Sequence, residues 1–198
     1  MINIAYWFKN PSKVLARAKY WIYEKQNPDK PWLCPGTIKF LDSALTTEMI
    51  GVEFGSGRST HWLAKRMKRL ISIEHFRPWY ETVQKQIADT SLSDVDYRLI
   101  PLDHPENEPE RQFYEPLPKY ASWLQDVQDE TYDFVLVDGH YRSTCIRSSL
   151  QKLKKGGMLV VDDVELWMKN GPPVPSEWLC VDTSTNGVKT TRIWKRTS

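Results

Sequence analysis

Two glycines, an acid and three hydroxyl side chains fall in one short run, Val52-Glu53-Phe54-Gly55-Ser56-Gly57-Arg58-Ser59-Thr60, and a second acid, Glu74, stands 21 residues after Glu53. Gly55 and Gly57 allow a sharp turn and a close approach of backbone to a ligand. Ser59 and Thr60 are good caps for a helix over residues 61–67. A strand, a glycine turn, a helix start and an acid at the next strand end predict a site for an adenosine-containing cofactor. In that site Glu74 would accept hydrogen bonds from ribose hydroxyls.

Thr60 stands where the third glycine of a dinucleotide-binding G-x-G-x-x-G pattern would be. A pyrophosphate needs that helix N-terminus held close and open. Glu53, just before the turn, would repel phosphate but suits a cationic ligand. S-adenosylmethionine carries an amino group and a sulfonium and no phosphate. The loop therefore fits a methyl donor better than a nicotinamide dinucleotide.

A second constellation lies at the ends of two later predicted strands, with Asp138 on one and Asp162-Asp163 on its neighbour. Ligands of open parallel sheets bind outside the carboxyl ends of the strands. Three carboxylates converging there need a cation between them. That cation can be the sulfonium, a Lys or Arg, or a divalent metal such as Mg2+ on Asp138, Asp162 and Asp163. Helix capping plus a cofactor contact is the metal-free alternative.

Catalytic candidates sit in Asp138-Gly139-His140-Tyr141-Arg142. His140 titrates in the right range for a general base, a role worth about 10²–10⁴-fold. It can equally cap the next helix or pair with Asp162. Arg142 can bind an anionic acceptor or pair with an aspartate.

Elements that position these groups follow from periodicity. Strands are predicted at 49–54, 70–74, 95–100, 132–138 and 158–162, the fourth nearly all apolar as a buried parallel strand should be. Between them a helix opened by Pro78 carries Trp79, Val83 and Ile87 on one face. A helix over 142–155 turns Ile146, Leu150 and Leu153 inward and ends at Gly156-Gly157. Strands at 178–182 and 190–195 flank an Asn186-Gly187 turn. The result is an α/β fold, a doubly wound and mainly parallel seven-stranded sheet closed by an antiparallel hairpin.

Before the sheet, residues 1–47 read as a helical cap and 48–198 as the main domain, one globular unit. In the cap, Val14, Ala18, Trp21 and Ile22 form a stripe expected to cover the sheet. Opposite it, Lys13, Arg17, Lys19 and Lys25 form a solvated face that offers an anionic partner or membrane surface a weak contact over residues 9–25. A proline-rich connection over 27–36 leads to a second helix with Ile38, Leu41 and Leu45 on one stripe.

Composition narrows the class. The net charge of +2 gives no general pull toward nucleic acid. Three scattered cysteines show neither metal spacing nor a disulfide framework, which points to a reducing cytoplasm. No apolar run approaches a transmembrane length, and no cleavable signal pattern opens the chain. Most of the nine tryptophans are expected to pack in the core or at its rim.

Glu53-x-Gly55-Ser56-Gly57-x-Ser59-Thr60-x-Trp62-x-Ala64, Ser72-Ile73-Glu74-His75 with Trp79-Tyr80, and the runs 133–139 and 153–163 together resemble bacterial class I S-adenosylmethionine-dependent methyltransferases. The resemblance covers about residues 48–195 and leaves the acceptor open. It implies that Glu53, Gly55, Ser56, Gly57 and Ser59 border the methionine part of the cofactor. Glu74 and His75 would then lie at the ribose, Asp103 near the adenine edge, and Asp138 below the sulfonium or acceptor. Catechol O-methyltransferases hold magnesium on a similar set of acids; the Asp162-Asp163 pair and a shorter intervening helix depart from that pattern.

Residues 103–120 have no period, and Phe113, Tyr114 and Tyr120 are interleaved with acids and prolines. The segment reads as a lid over an acceptor or as a surface insertion. Its aromatics suit a sugar or planar acceptor and its acidity disfavours nucleic acid. The leading expectation is an O-methyltransferase of a small molecule or glycan. The alternatives are a nicotinamide-dependent oxidoreductase and a binding protein that has lost turnover.

Overall fold

The computed structural model describes residues 11–90, 94–109, 111–167 and 171–197. The first ten residues of the expected cap lie outside this range. Helices α1 (Pro11–Gln26) and α2 (Pro35–Ala44) precede β1 (Ile50–Phe54). Alternation follows through α3 (Arg58–Ala64), β2 (Arg69–Glu74), α4 (Arg77–Ala88) and β3 (Val95–Leu99). A short α5 (Lys119–Ser122) leads to β4 (Tyr132–Val137), α6 (Arg142–Ser149) and β5 (Leu153–Val161), and β6 (Leu179–Thr185) and β7 (Thr190–Lys195) close the fold.

The strands form one seven-stranded sheet in the order β3-β2-β1-β4-β5-β7-β6. The first five run parallel, and β7 pairs antiparallel with both β5 and β6. Chain order reverses between β1 and β4, and their carboxyl ends frame the crevice where doubly wound sheets bind ligands.

Strand periodicity builds the two core layers. In β4 and β5, Val135, Val137, Leu159 and Val161 face one layer, with Tyr120, Leu124, Cys145 and Ile146 above them. Their neighbours Phe134, Leu136, Met158 and Val160 face the other, against Ile38 and Leu41 of α2 and Trp62 and Leu63 of α3. Each run is apolar throughout because both faces are buried.

Three expectations are corrected. The helix expected over 142–155 ends at Ser149, and Leu153 begins β5, paired with Tyr132. Gly156, at φ +77°, and Gly157 sit inside a strand whose register shifts between Tyr132 and Phe134, so they make a bulge and not a helix cap. In α1 the stripe Val14, Trp21 and Ile22 faces outward, at 44%, 53% and 48% exposure, while Tyr20 is buried. At the start of α3, Gly57 is the cap residue; Thr60 acts from inside the helix, accepting the Gly57 N–H at 2.9 Å.

The loops after β1 and β4 touch. Gly55 has φ +93°, and a Cβ on it would meet the Gly139 nitrogen at 2.7 Å. A Cβ on Gly139 would meet the Gly55 nitrogen at 2.9 Å and the hydroxyl of fully buried Tyr120. Gly139→Ala is therefore expected to lower stability by about 1–3 kcal/mol through overpacking, visible as a drop of several degrees in the thermal midpoint. An unchanged midpoint would mean that the two loops can separate freely.

Candidate functional site

Glu53, at the heart of β1, is fully buried. Its Oε2 accepts hydrogen bonds from Thr60 Oγ1 and Ser72 Oγ, both at 2.6 Å. Its Oε1 has no hydrogen-bond partner. Burial pushes the carboxyl up to about 7, against the hydroxyls that favour its charged form.

Glu74 ends β2 and is almost as deeply buried. One oxygen accepts from the backbone N–H groups of His75 and Phe76, at 2.8 and 2.9 Å. The other accepts from Ser56 N and Ser56 Oγ, at 3.2 and 2.7 Å. Burial works against ionisation, but these donors and the neighbouring imidazole outweigh it and hold Glu74 below the usual carboxylate range. Ser56 Oγ also lies 2.7 Å from the Tyr97 hydroxyl, so it has a second partner available if it turns away from Glu74.

A cleft of about 450 Å³ opens over these groups. Gly55, Ser56, Glu74, His75, Asp138, His140 and Arg142 of the sequence-predicted set line it, with Gly139 between them. Glu53, Gly57 and Ser59 lie beneath or behind its wall. Asp103 is not brought to it: exposed in its loop, it accepts the Lys119 N–H at 2.6 Å and ties together the ends of the 103–120 segment. One residue of that segment, Glu106, does reach the cleft, 4.0 Å from His75 Nε2.

Trp32 and Trp79, absent from the sequence-predicted set, form part of the wall with rings stacked at 6.2 Å. Trp79 donates its indole N–H to the Ser56 carbonyl at 2.9 Å, so α4 braces the glycine turn from the side. Its place in the Trp79, Val83, Ile87 stripe suggests core; of the three only Val83 is buried. His140 packs against His75 with ring centroids 4.3 Å apart. Burial, reinforced by His75, keeps His140 below its ordinary range, hence neutral and able to accept a proton near pH 7.

Asp138, Asp162 and Asp163 converge as expected, each offering an oxygen within 4.8 Å of the others. The cations between them belong to the protein. Arg142 Nη2 lies 3.2 Å from both Asp138 Oδ1 and Asp163 Oδ2, while its Nε and Nη1 donate to the Gly139 and Asp162 carbonyls. Lys189, just past the Asn186-Gly187 turn, pairs with buried Asp162, which also accepts from Thr191 at 2.5 Å. These residues do not fit a divalent metal, because an ammonium and a guanidinium already fill the space between the carboxylates. Arg142 likewise has each of its three nitrogens engaged with the protein, which leaves at most one N–H, on Nη1, for an acceptor.

Three carboxylates against two cations leave one negative charge in a poorly solvated place. Burial and the neighbouring Asp162 raise the Asp138 carboxyl above its usual range. Together the three acids hold the proton on Lys189 against its own burial.

A family model described as a methyltransferase domain matches residues 52–164. No curated protein matches the chain in sequence. Solved structures share the fold at low identity. An rRNA methylase from Streptococcus thermophilus superimposes with a TM-score of 0.57 at 14% identity, over 81% of this chain and 93% of its own. The protein SMU.1697c from Streptococcus mutans, in complex with SAH, gives 0.55 at 12% identity, over 79% and 93%. The N-methyltransferase NodS from Bradyrhizobium japonicum gives 0.51 at 15%, over 81% and 92%.

Proposed function

The chain belongs to the methyltransferase-domain family, S-adenosylmethionine-dependent enzymes of class I, and from that premise we propose that it methylates an oxygen of a small molecule or sugar. The observation that carries the donor site is one cleft lined both by hydrogen-bonded Glu74 and by Asp138, the member of the acid cluster that reaches it. A nucleoside with a sulfonium needs both. The Streptococcus mutans neighbour in complex with SAH supports the same donor.

Glu74 would hold the ribose hydroxyls, displacing the Ser56 hydroxyl toward Tyr97. The methionine part would lie along Gly55 and Ser56, with the orphaned Oε1 of Glu53 drawing its amino group from beneath the wall. When bound, the donor supplies an electrophilic methyl and leaves as S-adenosylhomocysteine. The protein's own work is positioning and proton removal. Asp138 would face the sulfonium, and His140 would take the acceptor's hydroxyl proton.

His140→Ala is expected to lower turnover about 10²–10⁴-fold and to leave S-adenosylhomocysteine affinity within a few-fold. Full activity would remove the base assignment. The 1–47 segment acts in this reading as a cap on the 48–198 domain. No helix among the described residues is long and apolar enough to cross a membrane, and no disulfide joins Cys34, Cys145 and Cys180. Cysteines held as thiols support a cytoplasmic setting.

A further inference from the structure

A second cleft, of about 530 Å³, opens beside the donor cleft and shares Trp32 and Lys189 with it. Its walls come from five parts of the chain: α1, Trp32 in the α1–α2 connection, the first residue of α3, Asp163 after β5, and the β6–β7 turn. Arg17, Lys25, Arg58 and Lys189 line it against only two acids, Glu24 and Asp163. Asp163 and Lys189 are already engaged with Arg142 and Asp162. Among the described residues Arg17 pairs with one carboxylate, Glu24, at a long 3.9 Å, and lies 5.9 Å from the centroid of the Tyr20 ring.

Arg58 is the most telling of these. It is half-buried, yet its contacts are the Glu24 carbonyl at 3.5 Å and the Trp32 ring, whose centroid lies 5.1 Å from the guanidinium. No carboxylate pairs with it among the described residues. A guanidinium has five N–H donors in a fork that matches phosphate or carboxylate. Lys25 has a ring contact with Trp21, at 5.8 Å, and likewise no carboxylate. Trp21 and Trp32 expose 53% and 42% of their surface beside these cations. A cleft of this volume admits a small molecule.

We propose that this second cleft seats the acceptor, and that the acceptor is a small anion, carrying a phosphate or carboxylate that Arg58 and Arg17 grip. Its reactive hydroxyl would reach over the shared Trp32–Lys189 edge into the donor cleft. The inference rests on the donor reading of that neighbouring cleft.

The test is calorimetry on the full chain, with and without saturating S-adenosylhomocysteine. Glucose 6-phosphate, glucuronate, inorganic phosphate and neutral glucose are the titrants. At least one anionic sugar is expected to bind at least tenfold more tightly than glucose. Comparing the phosphate with the carboxylate identifies the anion. Arg17→Gln and Arg58→Gln should each weaken that binding about tenfold, as loss of a charged hydrogen bond does. Arg17→Gln, on α1 and outside the lining of the donor cleft, should leave S-adenosylhomocysteine affinity unchanged.

Equal binding of glucose, no binding of any anion, or anion binding indifferent to both substitutions would overturn the proposal. Tighter binding of a single-stranded RNA oligomer than of every small anion would overturn it too. If S-adenosylhomocysteine itself fails to bind while the anion binds through Arg17 and Arg58, it is the donor reading that falls.

Discussion

Glu74→Ala is expected to weaken S-adenosylhomocysteine binding by roughly 10²-fold or more. Two hydrogen bonds from ribose hydroxyls to a carboxylate are worth about 1.5–3 kcal/mol each, so losing both gives a change of that size. The acid also gathers its own loop, accepting from Ser56, His75 and Phe76. A fall of about 1–3 kcal/mol in stability should accompany the binding loss. Calorimetry and a thermal melt of the same protein separate the two effects. Retained affinity with a lowered melting point would make Glu74 a loop organiser alone.

Glu53→Gln should do the opposite to stability. The Glu53 carboxyl ordinarily titrates near 4.5 and is pushed up to about 7 in the folded protein. A raised acid binds more protons folded than unfolded. Its contribution is thus best at low pH and is lost as pH rises from about 4.5 to 7. Taken over that window the loss is at most about 3 kcal/mol. A neutral amide still accepts from Thr60 and Ser72 and does not titrate. The variant should gain on the native protein steadily across the window and hold a constant lead above pH 7. In the proposed donor site the same change removes the negative partner of the amino group, so S-adenosylhomocysteine affinity should fall about tenfold. Melting curves at several pH values check the first half. A variant less stable at pH 8 would mean that the buried acid is ionised at no penalty.

Much of this was legible in the sequence because it is local. The glycine turn, Glu74 at a strand end and the apolar runs of β4 and β5 each follow from neighbouring residues. The alternation of strands and helices likewise implies the doubly wound seven-stranded sheet, whereas the lateral order that puts the switch point between β1 and β4 is a tertiary fact that the structure supplies. The errors arose where local and tertiary signals conflict. Gly156-Gly157 looks like a helix end, but pairing of Leu153 with Tyr132 draws the segment into the sheet. The apolar stripe of α1 looks like a core face, yet Tyr20 takes the buried side. Asp162 was legible as a site acid, but its partner Lys189 comes from a hairpin 27 residues later, which no local pattern links to it. Arg58 stands inside the most conspicuous motif, but only the fold reveals that no carboxylate among the described residues answers it.

The central claim is donor binding, and the direct measurement is calorimetric titration of the purified full chain with S-adenosylhomocysteine, with NADH titrated in parallel. Micromolar binding of S-adenosylhomocysteine and none of NADH is the predicted result. Binding of NADH in its place, or of neither molecule, would contradict the assignment of the cleft between β1 and β4.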